Sequence, residues 1–266
     1  VDELMPAVVS DYTVEEAAAE TGLEPELVRR IHATIGYTTD SLQRITDDDL
    51  DVLRHVSAVL ASGFPLVALL QLMRVYGQAL SQIADAEVRL FHLYVHEPLI
   101  RDGVPALQMA EEMSGLTRDL LPLASPIMNH VHQRFLQHFI EQDVIGHMET
   151  DLGADPLDLG QLRVAIAFID LAGYTQLTEE LGEEEAVSAV ERFVETVINT
   201  LPDEARIVKT IGDEVMVVSS DPAALTDWSV GFQRLSTARP LPRIGIHYGA
   251  TLYRDGDYFG RAVNIA

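Results

Sequence analysis

Cysteine is absent from the 266-residue sequence, and basic residues are scarce. Without cysteine the protein has neither disulfides nor thiolate chemistry, which is typical of a reducing compartment. Lysine and arginine together number 18 against 42 aspartates and glutamates, a formal net charge of −24. A charge of this sign and size argues against nucleic acid or an anionic membrane surface as a partner.

Long apolar runs and targeting segments are also missing. The longest uncharged stretch, between Arg54 and Arg74, contains Gly63-Phe64-Pro65 and polar residues, which make it a poor membrane span. Nothing in the sequence resembles a signal peptide. We therefore expect a cytoplasmic protein with no membrane partner. Because the chain starts at Val1 and stops at Ala266, inside an apparent secondary-structure element, we also expect that both ends are cut.

Residues 1–148 have the pattern of an all-α domain. Thr13 and Thr46 are followed by acidic residues at the spacing of a helix N-terminus, and apolar residues recur with helical period. The last helix of this half is predicted from Ser125 to about His147, after a separate helix that ends near Leu121. No strand pattern occurs before residue 160. The expected role of this domain is regulation or dimerisation.

The first two predicted helices, up to Gly36, have the length and spacing of a helix-turn-helix, with cues like those of a MerR-type winged helix. Residues 1–50, however, hold twelve acidic residues against Arg29, Arg30 and Arg44. A helix-turn-helix that binds DNA is expected to be basic. A helix-turn-helix regulator is therefore the disfavoured alternative, and we favour docking to protein.

The predicted helix 125–147 combines a broad apolar face with clustered histidines. The apolar face is typical of a core, and it also suits a helix–helix interface between two chains. His130, His132 and His138 lie on this helix, and eight of the nine histidines fall within residues 1–148. They are either solvated histidines without a special role or a proton sensor, since histidine titrates near neutral pH.

Residues 149–161 are rich in Gly, Pro and Asp and are predicted to be a linker. Strand and helix patterns then alternate through 162–266 in the order β-α-β-β-α-β, which is that of a ferredoxin-like domain. The expected fold is therefore α+β overall, an all-α domain followed by a ferredoxin-like domain.

The segment Val164–Thr175 contains the most specific pattern. A buried strand runs into Asp170, and Gly173 allows a sharp turn into a helix, whose N-terminus favours anions. Asp213, in the turn of a predicted hairpin, is expected at a neighbouring strand end. Two converging carboxylates suit two divalent cations, and with the turn they would hold a phosphate chain bound to those metals. The alternative is that Asp170 only caps the next helix.

Four blocks in this half resemble the catalytic domain of class III adenylate and guanylate cyclases. They are the segments 167–175, 208–213, 243–249 and 257–264, in the order that the family has them. The all-α half is similar to the regulatory domain that precedes the cyclase domain in some mycobacterial and other actinobacterial enzymes, a group that includes acid-responsive members. That second resemblance rests on capping and helix patterns alone.

The resemblance implies a role for individual residues. Asp170 and Asp213 match the two metal-holding aspartates, with Mg²⁺ or Mn²⁺ as the two cations. Lys209 and Asp257 match the positions that read the purine, in the combination found in adenylate cyclases. A lysine donor suits adenine N1, an aspartate acceptor suits the exocyclic amine, and both are mismatched to guanine. The triphosphate seat is matched by Leu171, Ala172, Gly173, Tyr174 and Thr175.

Two further residues match groups that act on the phosphates and the ribose. Arg243 matches an arginine that contacts phosphate, and Asn264 matches the asparagine that positions the ribose in the transition state. The family has a transition-state arginine four residues after that asparagine, at position 268, and the chain ends before it. We therefore expect an incomplete catalytic domain.

The function implied by the resemblance is conversion of ATP to 3′,5′-cyclic AMP and pyrophosphate. The active site is expected at a homodimer interface, where Asn264 of one chain acts on the nucleotide held by Asp170 of the other. The alternative is a catalytically incompetent, cyclase-like module that binds a nucleotide or a partner.

Overall fold

The computed structural model describes residues 12–37, 45–150, 160–237 and 239–266. The chain divides into two units between Leu136 and Gln137, and each unit is described by itself. The predicted linker lies mostly outside the described residues. Of that linker, residues 149 and 150 continue the preceding helix and Gln161 opens the first strand.

The first unit is helical, as predicted. Its helices are α1 (Val14–Thr21), α2 (Pro25–Ile35), α3 (Asp47–Ala61), α4 (Leu66–Phe91), α5 (Glu97–Arg101) and the first part of α6 (Ala106–Thr150), whose residues from Gln137 onward belong to the second unit, and a π-helical turn (His92–His96) joins α4 to α5. The side chain of Thr13 accepts a hydrogen bond from the backbone N–H of Glu16, whose carboxylate accepts from the backbone of Thr13. Thr46 and Asp49 form the same reciprocal cap on α3, so both predicted helix starts are confirmed.

The core of this unit lies where α1, α2, α3 and the start of α4 meet. Ile31, Leu50 and Leu53 are fully buried there. Helices α2 and α4 approach closely at Gly77, where a Cβ atom would lie 2.0 Å from the backbone oxygen of Ile35. Only glycine fits at this contact, because the neighbouring atom is rigid backbone.

Helix α6 is continuous from Ala106 to Thr150, with Pro122 and Pro126 inside it. The prediction of two separate helices on either side of these prolines is therefore wrong. An α-helix has about 3.6 residues per turn, so prolines four residues apart lie on nearly the same side. The missing amide donors then fall in one row of hydrogen bonds, and the other rows continue past them.

The apolar face of α6 is exposed in the described chain. Ile127, Val131 and Phe135 have relative exposures of 64%, 45% and 57%. These residues therefore form an apolar face that is exposed in the described chain, and an interface between two chains stays a prediction.

The second unit contains a five-stranded antiparallel sheet with helices between its strands. Its elements are β1 (Gln161–Ala172), α7 (Tyr174–Leu181), α8 (Glu183–Thr200), β2 (Ala205–Ile211), β3 (Glu214–Ser219), α9 (Pro222–Leu235), β4 (Leu241–Arg254), β5 (Asp257–Phe259) and α10 (Arg261–Ile265). The strand order is β2-β3-β1-β4-β5. The first four strands have ferredoxin-like order, so the predicted α+β fold is confirmed.

Strand β1 lies at the centre of the sheet and is covered on both faces. On one face, Ile169 of β1 packs in a buried cluster with Phe193 of α8 and Phe232 of α9. The opposite face, with Ile166 and Met216, packs under Tyr258 of β5 and Ala262 of α10. The hairpin of β4 and β5 therefore folds back over the sheet.

In the described part of the chain, no helix has the length and apolar character needed to span a membrane.

Candidate active site

The carboxylate of Asp170 is held near the end of β1. Asp170 is half-buried and lies opposite Glu214 of β3 on one side and Arg243 of β4 on the other. Directly opposite residues of an antiparallel pair present their side chains on the same face. Asp170 is therefore fixed by hydrogen-bonded strands on both sides, with one anionic and one cationic neighbour in register.

Asp213 reaches the same end of the sheet from the two-residue turn between β2 and β3. Gly212 precedes it with φ of 62°, a backbone conformation that favours glycine and that tight hairpins use. Burial raises the pKa of the Asp213 carboxyl, and the nearby negative charge of Asp170 adds to that rise. Asp213 is thus close enough to Asp170 for their charges to interact at this end of the sheet, and their binding of a cation stays a prediction.

The turn after β1 leads directly into α7. Gly173 is the N-cap residue of this helix, with φ of 88°. Among the described residues, no side chain caps the N-terminus of α7. The hydroxyl of Thr178, in the second turn of the helix, donates a hydrogen bond to the carbonyl oxygen of Tyr174 at 3.1 Å. A helix N-terminus favours an anion in general, and the binding of a phosphate at α7 stays a prediction.

Lys209 and Asp257 meet across the sheet face, 48 residues apart in sequence. The ammonium group of Lys209 forms an ion pair with Oδ2 of Asp257, and the two side chains are 37% and 27% exposed. A shift of register between Ile207 and Lys209 marks a bulge in β2 at this point. A donor and an acceptor therefore stand side by side in a partly desolvated position.

Two neighbours of this pair received no role in the sequence analysis. Arg206 of β2 donates a hydrogen bond from Nη2 to the hydroxyl of Tyr258 of β5, at 2.7 Å. The signal that could have pointed to Arg206 is its charge near the start of β2, two positions before the partly buried Val208. Nothing in the sequence pattern joins it to Tyr258, because the two residues are far apart in sequence.

Arg243 and Asn264 lie in different surroundings. Arg243 is exposed on β4, in register with Asp170. Asn264 is exposed on α10, and no described side-chain hydrogen bond joins it to the two aspartates or to Lys209. Helix α10 packs on β4 so closely that a Cβ atom at Gly245 would lie 1.9 Å from the carbonyl oxygen of Ala266.

The three histidines singled out on α6 are all exposed. His130, His132 and His138 lie among the exposed apolar side chains of that helix, and the ring of His138 is 5.5 Å from that of Phe139, centroid to centroid.

The donor set at the sheet end fits divalent cations. Within the described ranges, no group of three or more His, Cys, Asp or Glu side chains is placed to hold a metal ion. Asp170 and Asp213 would thus supply the protein's carboxylates, and phosphate and water oxygens would complete the coordination, which is how Mg²⁺ is usually bound beside a phosphate.

The second unit thus has a ferredoxin-like antiparallel sheet in which Asp170 lies near the end of β1 and Asp213 lies in the neighbouring turn between β2 and β3. Residues 8–140 match a known family, the adenylate cyclase regulatory domain. The chain belongs to this family, and the family predicted from the sequence is confirmed.

Curated relatives align with almost the whole chain. A pH-sensitive adenylate cyclase of Mycobacterium tuberculosis is 30% identical over 267 residues, 96% of this chain and 64% of the relative. An adenylate cyclase of Streptomyces coelicolor is 27% identical over 261 residues, 96% of this chain and 66% of the relative. The chain thus spans 64% and 66% of the length of these relatives.

Among solved structures, the adenylyl cyclase CyaB from P. aeruginosa is similar to part of the chain. It covers 41% of this chain and 71% of its own, with 23% identity and a TM-score of 0.36.

Proposed function

We propose that the protein, in full length, is an adenylate cyclase that converts ATP to 3′,5′-cyclic AMP and pyrophosphate. The observation that carries the proposal is the pair of converging carboxylates, Asp170 and Asp213, beside the uncapped start of α7. Similarity to proteins named adenylate cyclases supports the same reaction class. Residues 1–148 would form a domain for regulation and dimerisation, and residues 162–266 would contribute the catalytic domain. Residues 149–161 would be the linker between these two domains.

Asp170 and Asp213 would hold two divalent cations, Mg²⁺ or Mn²⁺. These cations, when bound, lower the pKa of the ribose 3′-hydroxyl and neutralise charge on the triphosphate. The protein's own part is to fix the two carboxylates on paired strands, so that little reorganisation is needed during the reaction.

The triphosphate would lie against the turn of residues 171–175, which places backbone N–H groups at a helix N-terminus. Arg243, in register with Asp170, would neutralise a phosphate oxygen. Pyrophosphate leaves as the 3′-oxygen bonds to the α-phosphorus.

Lys209 and Asp257 would select the base. Their ion pair holds a donor next to an acceptor, the arrangement that the N1 and exocyclic amine of adenine require. Guanine has a donor at N1 and an acceptor at the exocyclic oxygen, so both contacts would be mismatched.

The deciding experiment is an assay of the full-length protein with ATP and Mn²⁺, with separate measurement of ATP binding. Formation of cyclic AMP and pyrophosphate in equal amounts is expected. Binding of ATP without turnover would favour the alternative, a catalytically incompetent nucleotide-binding module. A protein that neither binds nor converts ATP would overturn the proposal.

We propose a homodimer in which Asn264 of one chain acts on the nucleotide held by Asp170 of the other. The exposure of Asn264 and the uncovered apolar face of α6 support a site completed by a second copy. Mixing an Asp170→Ala chain with an Asn264→Ala chain should restore about a quarter to a half of the parental activity, because one intact site forms in each heterodimer. No recovery on mixing would contradict a shared site.

Regulation by pH is proposed for His130, His132 and His138. Protonation of these exposed imidazoles would place charge along the apolar face of α6 and disfavour burial of that face. Acidification is therefore expected to change the activity of the full-length protein between about pH 5.5 and 8, and His138→Ala should weaken that change. An unaltered pH–activity profile in a triple His→Ala variant would rule the histidines out.

A further inference from the structure

Arg206 contacts both helix α6 and the hairpin that carries Asp257. Its guanidinium carbon lies 5.0 Å from the ring centroid of Phe139, and its Nη2 donates to the hydroxyl of Tyr258 at 2.7 Å. The same carbon lies 5.8 Å from the centroid of the Tyr258 ring. Phe139 follows the division of the chain at Leu136 and Gln137, so all three residues belong to the second unit.

Tyr258 in turn fixes the carboxylate of Asp257. The backbone N–H of Tyr258 donates to Oδ1 of Asp257 at 2.8 Å, while Oδ2 accepts from Lys209. The Tyr258 side chain is 4% exposed and packs on the sheet under Arg206. A shift of Tyr258 would therefore move one oxygen of Asp257 and, with it, the partner of Lys209.

We propose that Arg206 is a positioning residue for base selection: it holds Tyr258, and through it the Lys209–Asp257 pair, and Phe139 of α6 holds Arg206. This inference rests on the proposed function, because it assigns the pair to the purine. Arg206 itself touches neither the base nor the phosphates.

The chemistry of the guanidinium suits this position. Its plane can lie over an aromatic ring while its edge donates a hydrogen bond, whereas a lysine ammonium can satisfy one of these contacts at a time. Burial raises the pKa of Tyr258, and the charge of Arg206 acts against that rise, as expected for a phenol hydroxyl that accepts from a cation in a desolvated place.

The first test compares Tyr258→Phe and Arg206→Lys with the parent in the full-length protein. Tyr258→Phe removes the hydrogen bond from Arg206, and Arg206→Lys leaves a cation that can keep only one of the two contacts made by the guanidinium, while both changes keep most of the packing. We expect kcat/KM for ATP to fall about tenfold, mainly through KM, and the preference for ATP over GTP to fall by a similar factor, as for one lost hydrogen bond to a charged group. A double variant should be little worse than either single one.

Tyr253→Phe is the matched control. The ring of Tyr253 lies 5.1 Å from that of Tyr258, and the residue is 39% exposed on β4, so this change also removes one hydroxyl beside the same aromatic pair. It should leave the preference for ATP over GTP unchanged. Thermal unfolding of each variant shows whether the fold is kept, and a purely structural role would lower the melting temperature without changing base preference.

The second test addresses α6. Phe139→Leu keeps an apolar side chain and removes the aromatic face, and it should reduce the ATP preference in the same direction as Arg206→Lys, by about twofold to fivefold. Combined with Arg206→Lys, it should add less than it does alone, because the lysine keeps at most one of the two contacts.

Competition between ATP and GTP for binding, measured without turnover, distinguishes failure of the positioning role of Arg206 from failure of the proposed function. If the parent prefers ATP and the three variants keep the parental preference, the positioning role is overturned and the proposed function stands. If the parent binds neither nucleotide, both are overturned.

Discussion

Two pairs of side chains in the second unit have opposite electrostatics. Asp170 and Asp213 are of like charge, and burial together with Asp170 raises the pKa of Asp213. Lys209 and Asp257 are of opposite charge and neutralise each other. A cation bound between Asp170 and Asp213 would therefore reduce the repulsion of the first pair. In the second pair, a bound ligand would have to replace the ion pair between Lys209 and Asp257 with contacts of its own. Under the proposed function, the first pair would bind metal and phosphate, and the second would recognise the donors and acceptors of a base.

The largest effect is expected from Asp170→Ala, which breaks the like-charge pair. Loss of one of two metal-holding carboxylates should lower kcat by roughly a thousandfold or more, because charge stabilisation by the metals is lost. Cyclic AMP formation in the full-length protein measures this. Glu214→Gln is the matched control, since Glu214 lies beside Asp170 in the sheet and has no assigned role. Retained activity in Asp170→Ala would contradict the metal-binding role.

The opposite-charge pair is tested by exchanging its chemistry. Lys209→Glu combined with Asp257→Cys should remove the preference for ATP, because a glutamate acceptor meets the N1 donor of guanine. The ratio of kcat/KM values for ATP and GTP should change by about a hundredfold, since two polar contacts become mismatched. A double variant that still discriminates as the parent does would show that other residues read the base.

Much of this arrangement could be predicted from the sequence. The apolar run before Asp170, the hairpin around Asp213 and helix α9 follow local rules of strand, turn and cap. Local rules fail at α6, where the prolines predict a break that the remaining hydrogen bonds bridge. They fail as well for Arg206 and Tyr258, whose contact depends on the hairpin of β4 and β5 folding back over the sheet, a tertiary event without a periodic signal.

A smaller effect, on stability, should follow from Lys209→Met. The change leaves the partly buried Asp257 carboxylate without its cation, so the free energy of unfolding should fall by about 1 kcal/mol, with allowance for the exposed part of the pair. Urea unfolding of the ligand-free protein measures it. An increase in stability would show that the pair is not a net stabilising contact.

The smallest effect, and of opposite sign, is expected from Asp213→Asn in metal-free buffer. Folding raises the pKa of the Asp213 carboxyl, so this carboxyl holds its proton more tightly in the folded state than in the unfolded state. The free energy of unfolding therefore decreases as the pH rises through the folded pKa and the carboxyl loses that proton. An amide at this position removes the repulsion, and unfolding at neutral pH should become harder by about 0.5 kcal/mol or less. Chelator must be present, because bound Mn²⁺ would reverse the order of the two proteins.

The central place of β1 in the sheet has a consequence for local unfolding of the second unit. Asp170 is carried by a strand that is paired on both sides, whereas Lys209 is carried by β2, an edge strand of the sheet. Amide protons of β1 should therefore exchange with solvent only in the rarest, most extensive openings, and those of β2 in frequent local ones. During such local openings Asp170 on β1 stays in place while Lys209 on β2 is released, so under the proposed function the protein would release the purine of a bound nucleotide before it releases the phosphates.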